Sequence, residues 1–134
     1  MLLPLKKKRV EIMLRTYDVN IDFGKDLEKV INSKAHFHEK DRFSSVFLCH
    51  LKMNDKTIDI TDCTVSADVM VNEGDYKTAV CLETTIVDAK NGIVAFGLAE
   101  ELMTAGTKRF QIHINHKQQI IHSPMVEYTI FKGL

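Results

Sequence analysis

The chain predicts an all-β fold: an immunoglobulin-like antiparallel β-sandwich of about seven or eight strands, with an N-terminal arm and one short helical turn. Apolar residues recur with period two in run after run. Val65, Ala67, Val69 and Val71 form one such run; Val94, Phe96 and Leu98 a second; Phe110, Ile112 and Ile114 a third; Val126, Tyr128 and Ile130 a fourth. Successive side chains of an extended chain point to opposite faces, so each run gives one face to a core and the other to solvent or a partner. Polar and glycine-bearing turn segments separate the runs, and no long helical pattern lies between them.

The elements follow in order. Val10, Ile12 and Leu14 alternate with Glu11, Met13 and Arg15 as a first short strand. Residues 16–24 are weakly patterned, and Asp26 caps a short helix over residues 27–31 that Asn32-Ser33 ends. Residues 1–34 therefore read as an arm outside the regular array, and residues 35–134 as the sandwich. His36 and His38 flank Phe37 in an extended segment, before a charged turn at residues 39–42. Phe47, Cys49, Leu51 and Met53 then share one face of a strand, while Val46 and Leu48 face the other way, so its start is covered on both sides. Asn54-Asp55-Lys56 is a turn, residues 57–60 return as a short strand, and Thr61-Asp62 leads into the run from Val65. Residues 76–87 make one long strand with a bend near Glu83. Asn91-Gly92 is a hairpin signal before residues 93–98. Residues 99–103 form the helical turn, and strands follow at residues 108–115, 120–122 and up to Phe131. Pro124 lacks an amide donor and belongs at a strand boundary.

Composition excludes several classes. The 134 residues fit one domain with an additional arm, and 45% hydrophobic content supports a real core. Eighteen basic against eighteen acidic residues create no overall field for nucleic acid or anionic lipid. Lys6, Lys7, Lys8 and Arg9 form a compact basic cluster without interleaved aromatics, which reads as a solvated or partner-contacting arm. Cys49, Cys63 and Cys81 are odd in number and include no C-x-x-C pair, so no disulfide framework is expected and a reducing compartment is favoured. The opening MLLPLKKKRV has its charges after a very short apolar start, the wrong order for a secretory signal, and no apolar run reaches the roughly eighteen residues of a membrane span.

No catalytic constellation stands out. His36 and His38 share one face with Glu39 nearby, and His113, His116 and His122 cluster around one hairpin, yet no spacing such as H-E-x-x-H is present. The same imidazoles would sense mild acid if buried at an interface. There is no G-x-S-x-G elbow, and Cys49 sits in an apolar strand where packing explains it. Asp59, Asp68 and the pair Glu100-Glu101 read as solvated strand residues and helix-start charges rather than as two carboxylates held across a cleft. Gly92, Gly97 and Gly106 are scattered and build no phosphate-cradling loop. No catalytic, metal or cofactor residue is assigned.

Residues Asp59-Ile60-Thr61-Asp62-Cys63-Thr64-Val65 resemble the D-L-T-G-A-T-V signature of phage baseplate upper proteins. The resemblance continues through Gly92-Ile93-Val94-Ala95-Phe96-Gly97-Leu98, Glu101-Leu102, Gly106, Phe110 and Ile112. It closes on Ile120, His122-Ser123-Pro124 and the last strand, similar to the family's I-x-S-x-P-x-F-x-I ending. Upstream, residues 40–53 and Asn54-Asp55-Lys56 fit its opening hairpin. Asp62 stands where the family has glycine, and Ala99 where it has proline; aspartate enters left-handed conformations at modest cost.

The resemblance implies a non-enzymatic β-sandwich in the tail baseplate of a siphophage of Gram-positive hosts, assembled in the host cytoplasm. Such a domain anchors receptor-binding machinery to the tail hub. Its implied partners are other baseplate and tail-hub proteins and copies of itself, commonly as trimers, with no cofactor, nucleic acid or membrane insertion. Arg9, Arg15, Tyr17, His36 and His38, in the arm and at strand ends, are the implied assembly residues. A carbohydrate-binding sandwich is the main rival, weakened by the absence of Trp and by only three Tyr for a stacking platform. A small hydrolase, which needs two close carboxylates in a cleft, stands third.

Overall fold

A computed structural model describes residues 15–25, 29–38, 45–72, 75–98 and 102–132. These residues form eleven strands: β1 Arg15–Asp22, β2 Ile31–His38, β3 Ser45–Met53, β4 Lys56–Thr57, β5 Thr64–Asn72, β6 Asp75–Glu83, β7 Thr85–Asp88, β8 Ile93–Gly97, β9 Gly106–His116, β10 Gln119–His122 and β11 Val126–Phe131. They build two open sheets. The first has the order β1-β3-β8-β7, with β4 paired to β3; the second runs β2-β11-β9-β5-β6, with β10 paired to β9.

The period-two runs predict the core correctly. Val65, Ala67, Val69, Val94, Phe96, Phe110, Ile112, Ile114, Val126, Tyr128 and Ile130 are all buried between the sheets. Phe47 sits at the centre, with ring centroids 5.1 Å from Phe37, 5.2 Å from Phe96, 4.8 Å from Phe110 and 5.1 Å from Tyr128. Mostly edge-on and tilted contacts of this kind join aromatics from both sheets into one cluster.

The predicted immunoglobulin-like arrangement of about seven or eight antiparallel strands is corrected in three respects. First, residues 16–24 are not weakly patterned. Tyr17, Val19, Ile21 and Phe23 alternate with Asp18, Asn20 and Asp22, and Val19, Ile21 and Phe23 are buried. The resulting β1, inside the 1–34 segment, pairs in parallel with β3, and β2 pairs in parallel with β11. The cause is topological: the chain crosses from the first sheet to the second and back, so β3 returns in the direction of β1. Second, the expected long strand at residues 76–87 is two. Thr84 donates from its hydroxyl to the Val65 carbonyl at 2.8 Å, and there the chain passes from the second sheet to the first.

Third, there is no α-helix among the described residues. Ile31 opens β2 where a helix was expected. Of the expected turn at residues 99–103, residues 99–101 lie outside the described residues, while Leu102 and Met103 are adjacent and both buried in the core. Of the strand expected at residues 10–15 only Arg15 is described, as the first residue of β1, and the cap at Asp26 and the charged turn at residues 39–42 lie outside the described residues.

Local chemistry sets the turns. Asn54 and Asp55 have φ of 52° and 68°, and Lys117 and Gln118 have 49° and 70°, the paired positive values that match a hairpin to the twist of its strands. Gly92 has φ of 65°, and a Cβ there would stand 2.5 Å from the Ile58 carbonyl oxygen. Asp62 has φ of 63°, which accounts for the glycine that the resembling signature carries at this place.

Candidate protein interface

β1 ends one sheet and β2 ends the other, and the two lie side by side along one margin of the sandwich. Tyr17 of β1 is half-buried there, edge-on to Phe37 of β2 with ring centroids 5.2 Å apart. Each strand pairs on one side only among the described residues, so each presents a row of backbone groups outward. Thr16, Asp18 and Asn20 are exposed along β1. Asp18 reaches across to His50 Nε2 at 2.8 Å, an ion pair on the outer face of the first sheet when His50 is charged.

Four of the five residues expected at an interface fall on this margin. Arg15 is opposite Ser45 in the β1–β3 register, and Tyr17 is opposite Phe47. His36 and His38 stand opposite Thr129 and Phe131 in the β2–β11 register. Arg9 lies outside the described residues.

A cleft of about 310 Å³ closes one end of the margin, lined by Asn20, Asp22, Lys25, Lys29, Val30, Ile31 and Pro124. Asp22 is its organising residue. One carboxylate oxygen accepts from Gly24 N at 2.8 Å and Asn54 N at 2.9 Å, and the other from Asp55 N at 2.8 Å. Desolvation would push this carboxyl up, but the three backbone donors and the Lys25 ammonium outweigh it and hold the pKa below its ordinary value. Asp22 thereby ties the end of β1 to the β3–β4 hairpin. Sequence reading missed this residue; its signal was Asp22-Phe23-Gly24, an Asx-type turn sequence closing an alternating run.

Other candidate residues separate. Asp59 accepts from the amide and hydroxyl of Thr61 and shapes the turn ahead of β5, whereas Asp68 contacts His113, so no carboxylate pair forms between them. Glu100 and Glu101 lie outside the described residues. Cys49 is fully buried, and burial pushes its thiol far above the ordinary range, as packing requires. Ser123 and Pro124 work structurally: Ser123 Oγ accepts from Ile112 N at 2.9 Å and donates to the Pro124 carbonyl at 2.7 Å, stitching the break between β10 and β11 onto β9.

The family model of the BppU N-terminal domain matches residues 15–134. The chain belongs to this family of phage baseplate upper protein domains. It is a structural component of a phage tail baseplate, located in the virion tail. Among solved structures the family fold recurs in the N-terminal domain of phage TP901-1 ORF48, with a TM-score of 0.66 over 87% of this chain and 98% of that one, at 9% identity. No curated protein matches the chain. The family match begins at residue 15, the first residue of β1, so the BppU N-terminal domain includes the β1–β2 margin. Among the described residues no helix is long and apolar enough to cross a membrane.

Proposed function

We propose that the β1–β2 margin is the surface by which this domain docks in the baseplate, anchoring receptor-binding machinery to the tail hub after assembly in the host cytoplasm. One observation carries the reading. Positions 15, 17, 36 and 38, far apart in sequence and singled out as assembly residues, come together on two neighbouring edge strands. Edge strands suit this role because their outward backbone groups pair with an added strand, while side chains beside them set specificity. Residues 1–14, with the basic cluster that includes Arg9, directly precede β1 in the sequence. A trimer of the domain would be held through this margin and that arm.

The test is site-specific photocrosslinking in intact particles, with a benzophenone side chain at Thr16 on β1 or at Val87 on β7, on the opposite margin. Thr16 is expected to capture another baseplate protein or a second copy of this chain, and Val87 neither. Capture from Val87 with none from Thr16 would overturn the assignment.

A further inference from the structure

The outer faces of the two sheets differ in chemistry. On the second sheet the outward positions are polar: Asp68 on β5, Gln111 and His113 on β9, and Glu127 on β11. On the first sheet Val46 and Leu48 of β3 face outward, opposite Gly97 and Ala95 of β8, and Ile93 follows in the same row opposite His50. The large side chains of β3 thus stand beside small ones of β8, which makes a shallow apolar trough. Strands that are apolar on both faces belong to sheets covered on both faces. Among the described residues there are two sheets and no third layer, so the sandwich covers only the inner face of β3 and β8.

A second apolar row comes with the chain ahead of β1. Val10, Ile12 and Leu14 hold even positions, whereas the inward-facing Tyr17, Val19 and Ile21 of β1 hold odd ones. A strand running on from β1 toward the N-terminus would therefore turn Val10, Ile12 and Leu14 away from its own core. It would also lead off its own sheet, because the β1–β3 ladder begins with Arg15 opposite Ser45. Folding back over the outer face of that sheet requires a reversal next to β1. Residues 10–16 contain no Gly, Pro, Asn or Asp to make one.

We propose that residues 10–14 of one copy lie across the outer face of the first sheet of a second copy, with Val10, Ile12 and Leu14 packed into the trough of Val46, Leu48, Ala95 and Gly97. The spacing fits, since alternate residues of an extended chain are about 7 Å apart in the arm and in the sheet alike. The basic cluster at residues 6–9 meets a counter-charge at the same trough: Asp18 is exposed and stands beside Leu48 in the β1–β3 register. Both edges of the arm stay in water, which satisfies its backbone groups. This seat rests on the reading of the arm as an assembly element and says where it lands.

The test uses the purified full chain with a benzophenone amino acid in place of Ile12. Irradiation should give a covalent dimer whose crosslinks map to residues 46–48 and 95–97, and sedimentation should show self-association. Leu48→Lys, at an outward position, and Leu14→Asp, ahead of the first described strand, should each abolish the dimer and keep the cooperative melt. Glu83→Lys, on the outer face of the second sheet, should leave the dimer intact. Crosslinks confined to one chain overturn the proposal, as does a monomer that yields no dimer. Crosslinks onto β1 and β2 of the second copy overturn this seat but not the docking role of the margin, which the particle experiment decides separately.

Discussion

At the scale of single residues, two core aromatics with similar burial are expected to respond in opposite directions. Phe47 joins aromatics of both sheets, so Phe47→Ala removes contacts on every side and leaves a cavity that rigid strands cannot close. A loss of about 3–5 kcal/mol in denaturant unfolding is expected. Tyr128 is just as buried, but its hydroxyl finds no hydrogen-bond partner among the described residues, and burial pushes its pKa far up. Tyr128→Phe keeps the ring contacts and removes a desolvated polar group, so unfolding should show a gain of up to about 1–2 kcal/mol. A loss in Tyr128→Phe would mean that the hydroxyl is paired in solution.

At the scale of elements, β1 and β2 decide where the folding unit begins. β1 contributes Val19 and Ile21 to the core, and β2 contributes Ala35 and Phe37. A truncation removing residues 1–14 leaves every described strand in place and is expected to keep a cooperative melt. One removing residues 1–34 takes all of β1 and half of β2, exposes the edges of β3 and β11, and is expected to abolish that melt in calorimetry. The contrast matters for function. The surface proposed for docking is also part of the core, so any variant that weakens docking must be scored for folding as well.

At the scale of the whole molecule, stability should fall in acid in two steps. His113 has a folded pKa below its ordinary 6.5, so the unfolded chain binds more protons than the folded one in that window. Stability is then complete above about 6.5 and declines as pH falls through the folded value. Asp22 is likewise held below its ordinary 3.8, so its contribution is present above that value and is lost as pH falls further. Denaturation midpoints followed against pH should show both declines. His113→Gln should remove the upper one and Asp22→Asn should reduce the lower one, which Asp59 shares because Thr61 holds its carboxyl low as well.

Much of this protein was determined by sequence alone, and for a local reason. Period-two alternation forces each run to hide one face, so the buried residues of β3, β5, β8, β9 and β11 follow from spacing without knowing what they pack against. The family resemblance is equally local, resting on turn chemistry such as Asp62 in a left-handed conformation and the Ser123-Pro124 stitch. Only the tertiary structure decided which edges meet. The parallel pairing of β1 with β3 and of β2 with β11, the meeting of Tyr17 with Phe37, and the convergence of Asp68, His113 and His122 all join residues distant along the chain. Alternation specifies a face but carries no information about strand order or direction, which are set by how two sheets share one core. The margin proposed for docking therefore could not be read from spacing, although most of its residues could be named.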